Sequence, residues 1–390
     1  MLAHTKWHPL PSTRHVAQWT TTTRLAGHLP AWRRLAARAL DANPFYEPDY
    51  LLASARHLEK DDIRCIAVWR DGSPSSDLIG LFPLQRLALP GGALVPALAF
   101  YHNPYVCQTT PLIDREDPTA VWDSFLERCA RTPGAPRLIH APQLPIARAT
   151  HARLLDALER RGLSSMLISS FERASIKRFG DFGLYMQRLS ANRRKDLRRR
   201  ERRLAELGDV RFRLVTGAEK AAALDQMLEI EHSGWKGDTG TALACNPDTA
   251  AFAREAFLGE IGSVALLSAG DRVIAAGACL SSHRTLFTVK IAYDEAMHSF
   301  GPGTLLDMKM AETLSCPETG YRRLDSCGVA GDPVESYWLD REPIGSLAFV
   351  VSPETGSGWL SGYATAMRNL QRLRGLARDS LRRMRRFGKG

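Results

Sequence analysis

The sequence lacks the marks of several protein classes. No apolar run approaches the roughly 20 residues that a membrane-spanning helix needs. The opening MLAHTKWHPLPSTRH has no apolar stretch, so no secretory signal is expected. The seven cysteines (65, 107, 129, 245, 279, 316 and 327) form no CxxC pair and no cluster with metal-ligand spacing. Their odd number and scatter argue against a disulfide framework and predict reduced thiols in a cytosolic protein. Cys279 and Cys327 fall in apolar strand-like runs and read as core residues. No cysteine carries the local signature of a nucleophile.

What is present is an ordinary globular composition, 44% hydrophobic and 24% charged, over 390 residues, enough for two cores. The net charge of +10 is concentrated in two places. Residues 193–203 carry eight basic and two acidic residues, and residues 364–390 carry nine and one. The rest of the chain is therefore mildly acidic. Such basic segments predict anionic partners: membrane headgroups, nucleic acid or phosphorylated substrates. Residues 364–390 also hold an apolar stripe, Met367, Leu370, Leu373, Leu381, Met384 and Phe387. It suits a helix lying on an anionic membrane or docked on the protein itself.

Periodicity predicts an α/β chain in two units. The first has a helix over 16–39, strands at 63–72 and 77–87, and an irregular stretch, PGGALVPALAFYHNPYVCQTTPLI. A helix at 119–131, a strand at 137–141, a helix at 147–161 and a strand at 163–172 follow. The second opens with a basic helix over 189–208, with Asn192 as its expected N-cap. A strand at 210–216, helices at 218–235 and 248–258, and a three-stranded meander over 263–294 come next. The meander turns at Gly270-Asp271 and Ser282-His283. A small-residue loop entering a helix over 298–314, and strands near 321–327 and 346–351, complete the unit. AVWRDG…DLIGLFPLQ has the layout of ALLSAGDRVIAAGACLS, a weak internal echo that suggests duplication.

The segment KIAYDEAMHSFGPGTLLDMKM carries the most chemistry. A strand ends near Tyr293, and a helix starts at about Thr304 after Gly301-Pro302-Gly303. Amides at a helix start lack partners and point outward with the positive end of the dipole. Glycines there let a phosphate approach the backbone. The bland alternative is a Gly-Pro turn before a helix. Glu231 and Trp235 stand at i, i+4 on one helical face. Glu231 beside that ring reads either as a general base with a raised pKa or as a solvated carboxylate. Tyr293 is a candidate acid. Lys290, inside FTVKIAY, either faces solvent or lines a cleft. Lys236, Arg194 and Arg198 are candidates for anionic substrate, and Asp325 and Asp332, near Trp338, for the same cleft.

His298-Ser299-Phe300-Gly301-Pro302-Gly303 resembles the pyrophosphate loop of the GNAT superfamily, Arg/Gln-x-x-Gly-x-Gly/Ala, with His298 at its first position. The segments LSANRRKDLRRRERRL, LEIEHSGWKGDTGTA, KIAYDEAMHSFGPGTLL and DPVESYWLDREPIG, with NPFYEPDYLLA near the start, narrow the match. Over residues 40–350 the chain resembles the BioF2-like acetyltransferase domain family. That family includes cellulose-biosynthesis-associated acetyltransferase-like proteins and is related to the Fem-type aminoacyl transferases.

The resemblance implies tandem GNAT-like mixed sheets with flanking helices, plus a basic C-terminal helix. The implied divisions are an N-terminal leader and helix (1–40), a degenerate GNAT-like domain (41–188), a GNAT acyltransferase domain (189–355) and the basic helix (356–390). It implies transfer of an acyl group from acetyl-CoA or a longer acyl-CoA, without a metal, to an amine or hydroxyl. The acceptor would be a cell-envelope or exopolysaccharide precursor. The expected site is catalytic Glu231, Tyr293 and Asp325, with CoA on His298, Phe300, Gly301, Gly303 and Thr304. Substrate contacts are expected from Trp235, Lys236, Lys290, Arg194, Arg198 and Trp338. The expected location is the cytoplasm, peripheral on the inner membrane face. Two rivals stand: a Fem-type peptidyltransferase using aminoacyl-tRNA, and a GNAT-fold binding protein that has lost catalysis.

Overall fold

The structure, a computed structural model, describes residues 15–72, 76–88, 94–234, 237 and 239–387. In the first unit the strands are β1 (Val16–Thr21), β2 (Arg64–Trp69), β3 (Leu78–Ala88), β4 (Leu94–Phe100), β5 (Leu112–Ile113), β6 (Leu138–Pro145) and β7 (Ser165–Lys177). Its helices are α1 (Thr22–Leu25), α2 (Leu29–Arg38), α3 (Pro48–His57), α4 (Pro118–Arg131) and α5 (Ala149–Arg160). The second unit begins with α6 (Phe182–Gln187), α7 (Ala191–Ala205), β8 (Val210–Val215), α8 (Lys220–Ser233) and α9 (Pro247–Leu258). Then come β9 (Gly262–Ala269), β10 (Arg272–Ser282), β11 (Thr285–Tyr293), α10 (Pro302–Glu312), β12 (Arg323–Asp325), β13 (Asp340–Val350) and α11 (Ser357–Phe387).

These strands make one 13-stranded sheet in the order β1-β2-β3-β4-β6-β13-β7-β12-β11-β10-β9-β8, with β5 paired to β3. Read inward from either edge, the two units repeat. β1, β2, β3, β4 and β6 match β8, β9, β10, β11 and β12. In each row the last pair is parallel: β4 with β6, and β11 with β12. All other described pairs are antiparallel. At the centre the units exchange strands. β7 of the first pairs with β12 of the second, and β13 pairs with β6. The duplication suggested by the sequence is thus present in the strand order. The sheet runs unbroken across the division expected at residue 188.

Three local expectations change. Residues 16–21 form a strand, not the start of a helix. VAQWTT is rich in residues that suit a pleated surface, and β2 pairs with it along its whole length. The helix begins only after Thr21, whose side chain accepts the Arg24 N–H. The irregular stretch contains β4, a strand despite its turn formers. The cap of α7 is Ser190, two residues before the expected Asn192.

One core joins the units. Trp32, Tyr46 and Tyr50 of the first pack with Leu224, Met227, Phe252 and Phe257 of the second. Separate clusters lie under α7 and α10, and under α4 and α5. The start of α11 docks on the first unit: Leu360, Tyr363, Ala364 and Met367 are buried. Arg368 donates to the carbonyls of Ile168 and Leu167, each at 3.1 Å. Met367 and Leu370 of the apolar stripe therefore face protein, whereas Leu373 is 64% exposed. The side chains of Leu381, Met384 and Phe387 lie outside the described ones.

Candidate active site

β11 and β12 run together only from Thr285 to Phe287, against Arg323 to Asp325. β11 then continues to Tyr293, while the segment after β12 turns away. The turn is built locally. Cys327 adopts a left-handed φ of 54°, and its N–H donates to Asp325 Oδ1 at 2.9 Å. Gly328 N–H donates to Ser326 Oγ at 3.1 Å. β11 is also bulged. Ala278 of β10 faces Lys290 and Cys279 faces Thr288, so Val289 is the extra residue. A bulge interrupts the ladder and re-aims backbone groups. Where the strands part, a cleft of about 490 Å³ runs from Thr288 past Tyr293 to the start of α10.

The glycine loop forms the cleft's far end. Asp294 Oδ1 accepts the Ala296 N–H at 3.0 Å and starts a short turn through Phe300. Gly301 then takes φ 63° and ψ 50°, a conformation that penalises any Cβ. It is the N-cap of α10, and no side chain caps this end. The first intrahelical bond runs from Leu305 N–H to the Gly301 carbonyl, 3.1 Å. The amides of Gly303 and Thr304 precede it, at the positive end of the helix. Gly301, Gly303, Thr304 and His298 all line the cleft. A Cβ on Gly303 would stand 3.4 Å from the Tyr293 ring, so that ring covers the loop.

Helix α7 reaches this loop. The Arg200 guanidinium lies where a Cβ on Gly301 would be, and its Nε donates to Asp196 Oδ2 at 2.7 Å. Arg203 stacks on the Phe300 ring at 4.7 Å. Of the two arginines expected to bind substrate, Arg194 donates to the carbonyls of Gln187 and Leu189, 2.9 and 2.5 Å away. Arg198 is exposed on the same helix.

Glu231 is 2% exposed, which overturns the solvated reading. Its Oε1 lies 2.9 Å from Lys290 Nζ, and its Oε2 accepts the Leu243 N–H at 3.0 Å. Lys290 lines the cleft and stands 5.5 Å from the centre of the Tyr105 ring. It therefore does not take the solvent-facing default. Burial, and then the Glu231 charge, raises the Tyr105 hydroxyl above its ordinary value. Helix α8 ends at Ser233, and the expected i, i+4 partnership of Glu231 with Trp235 reaches beyond the described residues. Trp235 and Lys236 themselves lie outside the described residues.

Asp325 sits at the junction of the units. Its Oδ1 is 3.7 Å from Arg173 Nη1, and its Oδ2 is 3.8 Å from Arg323 Nη2. Arg173 also donates to the carbonyls of Cys107 and Gly328, at 2.7 and 3.0 Å. One guanidinium thereby ties a first-unit loop to the turn that opens the cleft. Trp338, expected at the substrate, is wholly buried. Its Nε1 donates to the Asp307 carbonyl at 3.2 Å, beneath α10.

Sequence reasoning missed Arg200 and Asp307, and expected Asp332 near the cleft. The two carboxylates line the cleft. Burial, then the charge of Asp332, pushes the Asp307 carboxyl well above the usual range. The available signal was Asp307 placed between the apolar Leu305, Leu306 and Met308. Among the described residues no cluster of His, Cys, Asp and Glu could hold a metal ion.

The acetyltransferase (GNAT) domain family matches residues 191–337. No curated protein sequence matches the chain. Among solved structures, FemX is similar at a TM-score of 0.55 and 10% identity, over 86% of this chain and 97% of that one. An Agrobacterium fabrum domain, assigned as the C-terminal part of a lysylphosphatidylglycerol synthetase, has a TM-score of 0.52 at 15% identity, over 89% and 96%. A conserved Bacteroides thetaiotaomicron protein of unknown function has 0.50 at 13%, over 83% and 97%. Residues 191–337 thus match the GNAT acetyltransferase domain family, in a chain whose tandem fold is similar to that of FemX.

Proposed function

We propose that the protein transfers an acyl group from an acyl-CoA to an amine or hydroxyl, on a cell-envelope or exopolysaccharide precursor. The observation that carries this reading is the uncapped start of α10, with Gly301, Gly303 and Arg200, at one end of a cleft between splayed strands. Amides, a helix dipole and a guanidinium suit a diphosphate. Arg200 takes the part that the Arg/Gln of the family's loop plays, since His298 stands in that place here. The stretch of β11 beyond Phe287, where β12 has turned away, suits the amide-bearing arm of CoA. Backbone N–H groups at the Val289 bulge would polarise the thioester carbonyl.

In this reading Glu231 and Lys290 act as a unit in the cleft wall. Glu231 takes the acceptor's proton or positions the group that does. Tyr293, above the loop, protonates the departing thiolate. Asp325 holds the turn at Cys327, which keeps the strands apart. The basic segment beyond Leu370 is proposed as a peripheral contact with an anionic membrane on the cytoplasmic face. No helix among the described residues is long and apolar enough to cross a membrane.

The test is mass spectrometry of the protein with acetyl-CoA, longer acyl-CoAs and bulk aminoacyl-tRNA in the presence of amine and hydroxyl acceptors. Release of CoA with acylated acceptor supports the reading. Consumption of aminoacyl-tRNA alone replaces it with the Fem-type rival.

A further inference from the structure

Behind the bulge lies a second chamber, of about 190 Å³. It shares Val289 and Lys290 with the cleft, so the two cavities meet at β11. Both units build it: Tyr50 and Tyr105 from the first, Leu243, Phe252 and Phe257 from the second. Tyr50, Leu243, Phe252 and Phe257 are at most 1% exposed. The rings meet edge-on, Tyr50 with Phe252 at 5.3 Å and with Phe257 at 6.4 Å, which fixes the shape. Two of the polar tips are engaged elsewhere. Tyr50 donates its hydroxyl to the Tyr105 carbonyl at 2.6 Å, and Lys290 is held by Glu231. The lining is more apolar than polar, with aromatic rings and Leu243 forming most of its wall.

A hydrocarbon chain suits such a space, whereas an unpaired polar group would be penalised there. A water-sized group occupies about 30 Å³ in a liquid, and a methylene is of similar size. The chamber therefore takes roughly six. If the thioester carbonyl sits at the Val289 bulge, the carbons beyond it point into this space. We infer that the chamber receives the tail of the transferred acyl group, making thioesters of about eight carbons the preferred donors. This rests on the acyl-CoA reading above.

Calorimetric titration of the full-length protein with CoA and with acetyl-, butanoyl-, hexanoyl-, octanoyl- and dodecanoyl-CoA, without acceptor, tests it. Affinity should rise by about three- to fourfold per methylene up to octanoyl, then level or fall at dodecanoyl. Cys107 also lines the chamber. Cys107→Leu should move the break to a shorter chain, and Phe252→Leu to a longer one. Unchanged affinity for CoA itself shows that each variant is folded. CoA binding with a flat chain-length series, or a break that neither variant shifts, overturns this inference and leaves the acyl-CoA reading standing. Failure of CoA itself to bind overturns both.

Discussion

The carboxylate of Glu231 and the ammonium of Lys290 meet at 2.9 Å, beside the strand gap where a thioester would lie. Both come from otherwise apolar surroundings, and each relieves the cost of burying the other. Glu231→Gln keeps the shape and an acceptor for the Leu243 N–H but removes the charge. Turnover should fall by about 10²-fold or more, while CoA affinity stays near wild type. Steady-state kinetics with parallel calorimetry checks this. Wild-type turnover would pass the role to Tyr293 or Asp325.

Arg200 covers Gly301 from another helix. Arg200→Ala should weaken CoA binding by about tenfold or more, the range expected for a hydrogen bond to a charged group. It should also flatten the salt dependence of that affinity. Titrations at low and high salt read both effects. An unchanged salt dependence would show that Arg200 packs on the loop without meeting phosphate.

Glu47 supplies a pH prediction. Its Oε1 accepts the Ser282 hydroxyl at 2.5 Å across the two units. Burial, only partly offset by that bond and reinforced by the charge of Asp49, raises its pKa from 4.5 to about 7. The folded state thus holds this proton more tightly than the unfolded state. The stability it contributes is full below pH 4.5 and is lost as pH rises through 7. The shift amounts to about 3 kcal/mol at most. Glu47→Gln should therefore be more stable than wild type at pH 8, with the advantage shrinking toward pH 5. Denaturant melts at the two pH values measure this.

The docked start of α11 separates two roles for the C-terminal helix. A chain ending before Ala364 loses the burial of Ala364 and Met367 and the bonds of Arg368. Its stability should fall by about 2–3 kcal/mol. A chain ending at Arg374 should keep its stability yet no longer pellet with anionic vesicles at low salt, as full-length protein should. Equal pelleting of the full chain and the Arg374 truncation would refute the membrane contact.

Local patterns were legible in the sequence. The β9–β11 meander followed from alternation and from the Gly270-Asp271 turn. Helix α7 followed from its spacing of Leu197 and Leu204, both buried. The glycine spacing at 301 and 303 predicted the uncapped helix start. What stayed hidden depends on partners distant in the chain. Residues 16–21 become a strand because β2 pairs with them. Arg200 looks like any arginine of a basic run until the fold brings α7 to Gly301. Lys290 and Glu231 each carry an ambiguous pattern that only their contact resolves. The exchange of β7 and β13 leaves no local mark at all.

Binding of CoA at the start of α10 tests the central claim most directly. A Cβ on Gly303 would make only van der Waals contact with the Tyr293 ring, at 3.4 Å, so Gly303→Asp should fold, as circular dichroism would show. Its charge would stand where the diphosphate belongs. Calorimetry should show CoA binding to wild type and none to Gly303→Asp. Unchanged affinity in the folded variant would contradict the account.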